Sequence, residues 1–181
     1  MSYALTLVPA LDRPDLLAPP VADVIAGLGP AAAGIQVAEI DPELADTAAF
    51  CERYQVPLDE SANCVLIAGK RAGESRMAAA LVLATTRADV NGAVRRLLDV
   101  RKASFASRDA ATGGTGMEYG GITPLGLPAE WPVYLDAAVA AAPRVVIGSG
   151  VRRSKLVISG ATLVGLPTVT VVDELAVPVA P

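Results

Sequence analysis

The chain has no histidine at all among its 181 residues. That excludes a Ser-His-Asp triad, a Cys-His dyad and an HExxH zinc site. Any acid–base chemistry must come from Asp, Glu, Lys, Tyr, backbone groups, water or the substrate itself. Cysteine is nearly absent. Cys51 and Cys64 are too few for a disulfide framework and too far apart for a CxxC motif, and they read as small apolar residues. Aromatics make up 4% against 52% hydrophobic residues, so the core must be aliphatic. No apolar run reaches the ~18 residues that span a bilayer. The N-terminal residues lack the basic stretch of a signal peptide, so a cytoplasmic protein is expected. The length suits one domain, 1–181, with residues 1–33 a variable Pro/Ala-rich arm.

Acidic and basic residues are unevenly spread. The net charge is −4. Residues 1–62 carry two basic and ten acidic side chains, and the remainder carries thirteen basic and nine acidic. The basic ones cluster as Arg95-Arg96, Arg101-Lys102, Arg108 and Arg152-Arg153-Lys155. Either they form one cationic face for phosphate, or they are solvated turns and helix faces.

Glycine is concentrated where it is most informative. The stretch 115–126 holds Gly116, Gly120, Gly121 and Gly126 around Pro124, and Asp136 lies twelve residues beyond that proline. Glycine permits close backbone approach or positive φ, and proline stiffens the loop. Exposed amides of such a loop can grip carbonyls, hydroxyls or phosphates. Asp136 ends a Val-Tyr-Leu-Asp strand, where it is either a helix N-cap or the polar handle of a small site. There is no GxGxxG opening a helix and no Walker Gly-Lys-Ser/Thr, so nucleotide folds of those kinds are not indicated. Tyr119, Trp131 and Tyr134 flank the loop, either as stacking groups or as core.

Coarse periodicity predicts a short helix over 21–28, a strand over 34–40 and a helix from Asp41-Pro42-Glu43 to about Tyr54. A hairpin follows, with strands 62–68 and 77–85 joined by a charged turn. Asp89 is expected to cap a helix over 90–100. Residues 103–106 are ambiguous, and 109–115 reads as a turn or a single helical turn. Strands are expected at 133–135, 144–147, 156–158 and 169–172, with helical segments at 136–142 and 160–166. Strands and helices mix without βαβ alternation, which favours an α+β fold, a mixed sheet with flanking helices, over a Rossmann fold.

The loop Gly120–Pro124 followed by the Val-Tyr-Leu-Asp strand end resembles the YbaK / prolyl-tRNA-editing-domain family. Three further segments agree: 61–67, 101–106 and Gly148-Ser149-Gly150-Val151-Arg152-Arg153. The resemblance spans roughly residues 34–175. It implies a mixed, partly barrel-like sheet and a hydrolase that deacylates mischarged aminoacyl-tRNA. Gly120 and Gly121 would polarise the ester, and Asp136 matches the family's functional Asp. Asn63, Ile122, Thr123, Pro124, Gly148, Ser149 and Arg152 would bind substrate. A hydroxyl of the terminal ribose would help activate the water. No metal or cofactor is implied. The expected partners are aminoacyl-tRNA and an aminoacyl-tRNA synthetase. Asn63 stands where family members carry a lysine. That leaves a second reading open, a non-catalytic relative that binds aminoacyl-tRNA or a small ligand. A hydrolase of small esters or amides is a third.

Overall fold

In the computed structural model, residues 3–179 are described. Eleven strands are described, β1 Val8–Pro9, β2 Gln36–Glu39, β3 Ala62–Arg71, β4 Glu74–Leu83, β5 Thr86–Ala88, β6 Ala103–Phe105, β7 Val133–Asp136, β8 Val145–Gly148, β9 Ser154–Ile158, β10 Val169–Val172 and β11 Ala176–Pro178. They form a four-stranded sheet in the order β1-β2-β9-β8, a five-stranded sheet β10-β7-β4-β3-β6, and a β5–β11 ribbon. The first sheet is antiparallel throughout. In the second, β7 runs parallel to both β10 and β4, while β3 is antiparallel to β4 and β6. A bridge between Ser61 and Val146 brings the two sheets together at β8 and the start of β3. The result is the expected mixed α+β sheet, curled but not closed into a barrel.

The hairpin follows from its sequence. The apolar, β-branched run of β3 pairs with β4 over ten positions, and Ala72-Gly73 make the turn, both with positive φ. Helix α1, Pro19–Gly27, starts with proline in its first turn and buries Val21 and Ile25, which are one turn apart. The predicted helix 41–54 is divided. Asp41 caps a 3-10 turn Pro42–Leu44, and α2, Thr47–Tyr54, follows. The helix expected over 90–100 is also shorter. The Asp89 carboxylate accepts from Gly92 N and Ala93 N at 2.9 Å and winds a π-turn Val90–Val94, which runs on only as Arg95–Leu97. Helix α3 is this composite; α4 is Arg108–Thr115, α5 Ala137–Ala140 and α6 Gly160–Val164.

Residues 8–33 do not form an arm beside the domain. Leu16, Leu17, Ala18, Val21 and Ile25 are buried in the largest core, with Leu81, Leu125, Leu135, Ile147, Leu156 and Ile158. The physical reason is supply: with few aromatics, the core needs these aliphatic side chains to fill its volume. Strand β1, at the start of this segment, pairs with β2 and extends the four-stranded sheet. No helix among the described residues is long and apolar enough to cross a membrane.

Candidate active site

Strand β6 pairs with β3 only at Ile67–Gly69, so the N-terminal half of β3 is open on that side. A cavity of about 380 Å³ occupies the notch between that half-strand, the end of β8 and the loop around Gly120. Ala62, Asn63, Cys64, Val65 and Leu66 form one wall, with Gly120, Ile122, Gly148 and Lys155 opposite and Asp46, Thr47, Phe105 and Tyr119 toward the rim.

Close backbone approach builds the far wall. A Cβ on Gly148 would run into the carbonyl oxygens of Gly121 and Ile122, the latter at 2.6 Å. A Cβ on Gly121 would meet the Val151 carbonyl carbon at 2.6 Å. Gly120 has φ +89°, a left-handed conformation that side chains resist. The Gly121 N–H donates to Glu118 O at 2.9 Å and closes the turn, and Gly150 N donates to Gly121 O at 2.7 Å. Gly121 is therefore structural, and its amide is not available to a ligand. The N–H groups of Gly120 and Ile122 have no acceptor among the described residues. Both residues line the cavity, so two donors remain for a bound oxygen.

Asn63 is held in one orientation. Thr47 Oγ1 donates to its Oδ1 at 2.6 Å, leaving the Nδ2 hydrogens without an acceptor among the described residues. The position offers a neutral donor, not a charge. Cys64 shares the wall, and burial pushes its thiol up to about 12, which disfavours the thiolate.

Lys155 was visible in the sequence only as the end of a basic cluster. It stands on β9 opposite Gly148, and its Nζ donates to Ala45 O at 3.0 Å and lies 5.3 Å from the Phe50 ring centroid. Burial pulls its ammonium down to about 8. The signal for it was a lone charge inside an otherwise apolar strand, Leu156-Val157-Ile158. Phe105, 63% exposed, and Tyr119, 51% exposed, are the aromatics of the cavity, with the Arg108 guanidinium 5.2 Å from the Tyr119 ring centroid. Tyr134 is buried in a separate core, and Trp131 packs beside Gly114.

Five further expected site residues do not line the cavity. Asp136 does not line the cavity; its carboxylate accepts from Ala138 N at 3.0 Å and caps α5. A strand that ends where a helix begins uses its Asp for that purpose. Thr123 and Pro124 are buried within the loop, and Thr123 Oγ1 has no hydrogen-bond partner among the described residues. Ser149 is wholly buried, its Oγ 2.7 Å from Ser154 Oγ and 3.0 Å from Ser154 O, where it ties the turn to β9. Arg152 fastens the loop from outside. Its Nη1 donates to Tyr119 O and its Nη2 to Pro42 O, with Asp46 3.8 Å away. Arg153 likewise donates to Asp15 O. Each member of the C-terminal basic cluster, Arg152, Arg153 and Lys155, thus donates to a backbone carbonyl within the protein.

A family model for the aminoacyl-tRNA editing domain matches residues 41–166. Among solved structures, the chain resembles a candidate trans-editing enzyme for prolyl tRNA synthetase, with a TM-score of 0.72 and 21% identity over 86% of this chain and 94% of that one. A scaffold protein used in computational grafting of linear epitopes gives a TM-score of 0.72 and 23% identity over 90% and 97% of the two chains. A hypothetical protein gives 0.69 and 18% over 79% and 91%. No curated protein matches the sequence.

Proposed function

Since the chain belongs to the aminoacyl-tRNA editing domain family, we propose that it hydrolyses the ester joining a wrong amino acid to the 3′ end of a tRNA, acting in trans. The observation that carries this reading is the set of unpaired donors around one cavity: the N–H groups of Gly120 and Ile122, and Nδ2 of Asn63. Donors fixed before the substrate arrives stabilise the oxyanion that forms as water attacks an ester carbonyl. An aminoacyl ester is already activated, so a site with few catalytic groups suffices. The cavity, about 380 Å³ and open to solvent, has room for the aminoacyl group at the ester. Phe105 and Tyr119 at the mouth offer faces for the terminal bases, with Arg108 beside them for phosphate.

The test is deacylation of tRNAs charged with Ala, Ser, Cys or Pro by the full chain, beside Asn63→Ala and a no-enzyme control. Release above the control from one or two species, reduced in the variant, supports the reading and names the substrate. Binding of charged tRNA without release would favour a non-catalytic relative, for which the neutral Asn63 is the supporting feature.

A further inference from the structure

Lys155 is the one lysine among the residues lining the cavity, and burial lowers its affinity for a proton. It is half-buried between β8 and β2, its stem packed toward Phe50 of α2, and its head tied to Ala45 O. One N–H is thereby committed, and the remaining valences of Nζ are without a protein acceptor. Across the register it adjoins Gly148, whose backbone abuts the Gly121 and Ile122 carbonyls. Lys155, Gly120 and Ile122 therefore line one open cavity, whose other wall is the N-terminal half of β3.

We propose that Lys155 is the general base of the site, its neutral amine taking a proton from the attacking water. This rests on the editing reading above. In the step, the water oxygen bonds to the ester carbonyl carbon while one water proton passes to Nζ. The carbonyl oxygen becomes an oxyanion facing the Gly120 and Ile122 amides. As the tetrahedral centre collapses, the bond to the ribose oxygen breaks and Nζ returns the proton to that oxygen. The products are a free amino acid and an intact tRNA 3′ end, and the lysine is restored. A base on the protein supplies, in a chain without histidine, what otherwise falls to the substrate's own hydroxyl.

The electrostatics agree with this role. Burial above all, with Arg152 as a smaller contributor, lowers the ammonium to about 8, against the opposing effects of Cys51 on α2 and the carboxylate of Asp46. Cys64 and Tyr119 are the other titratable groups on the cavity, and burial keeps the Cys64 thiol protonated. An amine that titrates near 8 is partly free at neutral pH, as a proton acceptor must be.

The experiment has two readouts on the full chain. Lys155 is one of three lysines, with Lys70 and Lys102, so its side-chain NMR resonance is assigned by its loss in Lys155→Met and followed against pH. Deacylation of a responsive aminoacyl-tRNA is followed over the same range, corrected for spontaneous hydrolysis, with folding of each variant checked by thermal melting. The expected result is a titration near pH 8, kcat/KM rising through that same midpoint, and a loss of 100-fold or more in both Lys155→Met and Lys155→Arg, since a guanidinium does not give up its proton. Activity retained in Lys155→Arg, or a rate that falls as pH rises, overturns the base and leaves a cation. Full activity in Lys155→Met, or titration at the ordinary lysine value, also overturns it. If the native chain deacylates no aminoacyl-tRNA, the editing reading falls and this proposal with it; failure in the variants alone leaves that reading intact.

Discussion

The Asp136 corner and the Gly120 cavity carry similar residues and differ in what those residues have left to offer. At Asp136 the carboxylate accepts from Ala138 N, and the residue is 9% exposed. At the cavity, Asn63 spends its Oδ1 on Thr47 and keeps its amide hydrogens, Lys155 spends one N–H on Ala45, and two loop amides spend nothing. Gly120 is exposed and Asn63, Ile122 and Lys155 are partly exposed, so the donors left over are open to a ligand at the cavity, whereas the Asp136 carboxylate is already committed. The same contrast runs through the loop itself, where the Gly121 amide closes a turn and its neighbours on either side do not.

That contrast breaks most severely at Gly148. Gly148→Ala forces a Cβ against two carbonyl oxygens, and a loss of about 3 kcal/mol or more in stability is expected together with loss of deacylation, measured by chemical denaturation and turnover. Asn63→Ala should leave the melting temperature within a few degrees and cut kcat/KM by about 10- to 100-fold, the cost of one oxyanion-type donor; an unchanged rate would remove Asn63 from the site.

The next effect has the opposite sign. Lys155 binds its proton more weakly when folded than when unfolded, so below pH 8 its burial costs stability, and the cost fades as pH rises from 8 toward 10.5. Lys155→Met should therefore stabilise the fold by about 1–2 kcal/mol at pH 7, with the gain shrinking across that window in denaturation curves. The smallest effect belongs to Asp136→Ala, which should lose about 1 kcal/mol through the missing cap and keep its turnover. A large loss of kcat in a folded Asp136→Ala would return that residue to the chemistry.

Much of this fold was legible because its signals are local. The β3–β4 hairpin announced itself through a β-branched run and a charged turn, and Asp89 and Asp136 through the helical segments they cap. The short strands β1, β5 and β11 gave no such sign, because each depends on a partner distant in sequence. The site was half legible. Gly120, Ile122, Asn63 and Gly148 meet at one cavity, and all four stand in segments whose order resembles the editing family. Lys155 and Phe105 went unread because a side chain's neighbours across a sheet are fixed by strand order, which no spacing along the chain encodes. The internal partners of Arg152 and Ser149 were illegible for the same reason: only the three-dimensional arrangement reveals them.

Alanine 18 has a role larger than its size. Its N–H donates to Ser149 O, and its methyl group stands where a Cβ on Gly150 would go. The stretch preceding α1 is thus a backstop against which the Gly148–Gly150 turn is pressed. A chain trimmed to the family-matched span 41–166 would surrender that backstop, along with β2 from the middle of one sheet and β10 from the edge of the other. The recognisable part of this protein is accordingly smaller than its cooperative unit, and a fragment cut at those limits is expected to be soluble only as an aggregate or an unfolded chain.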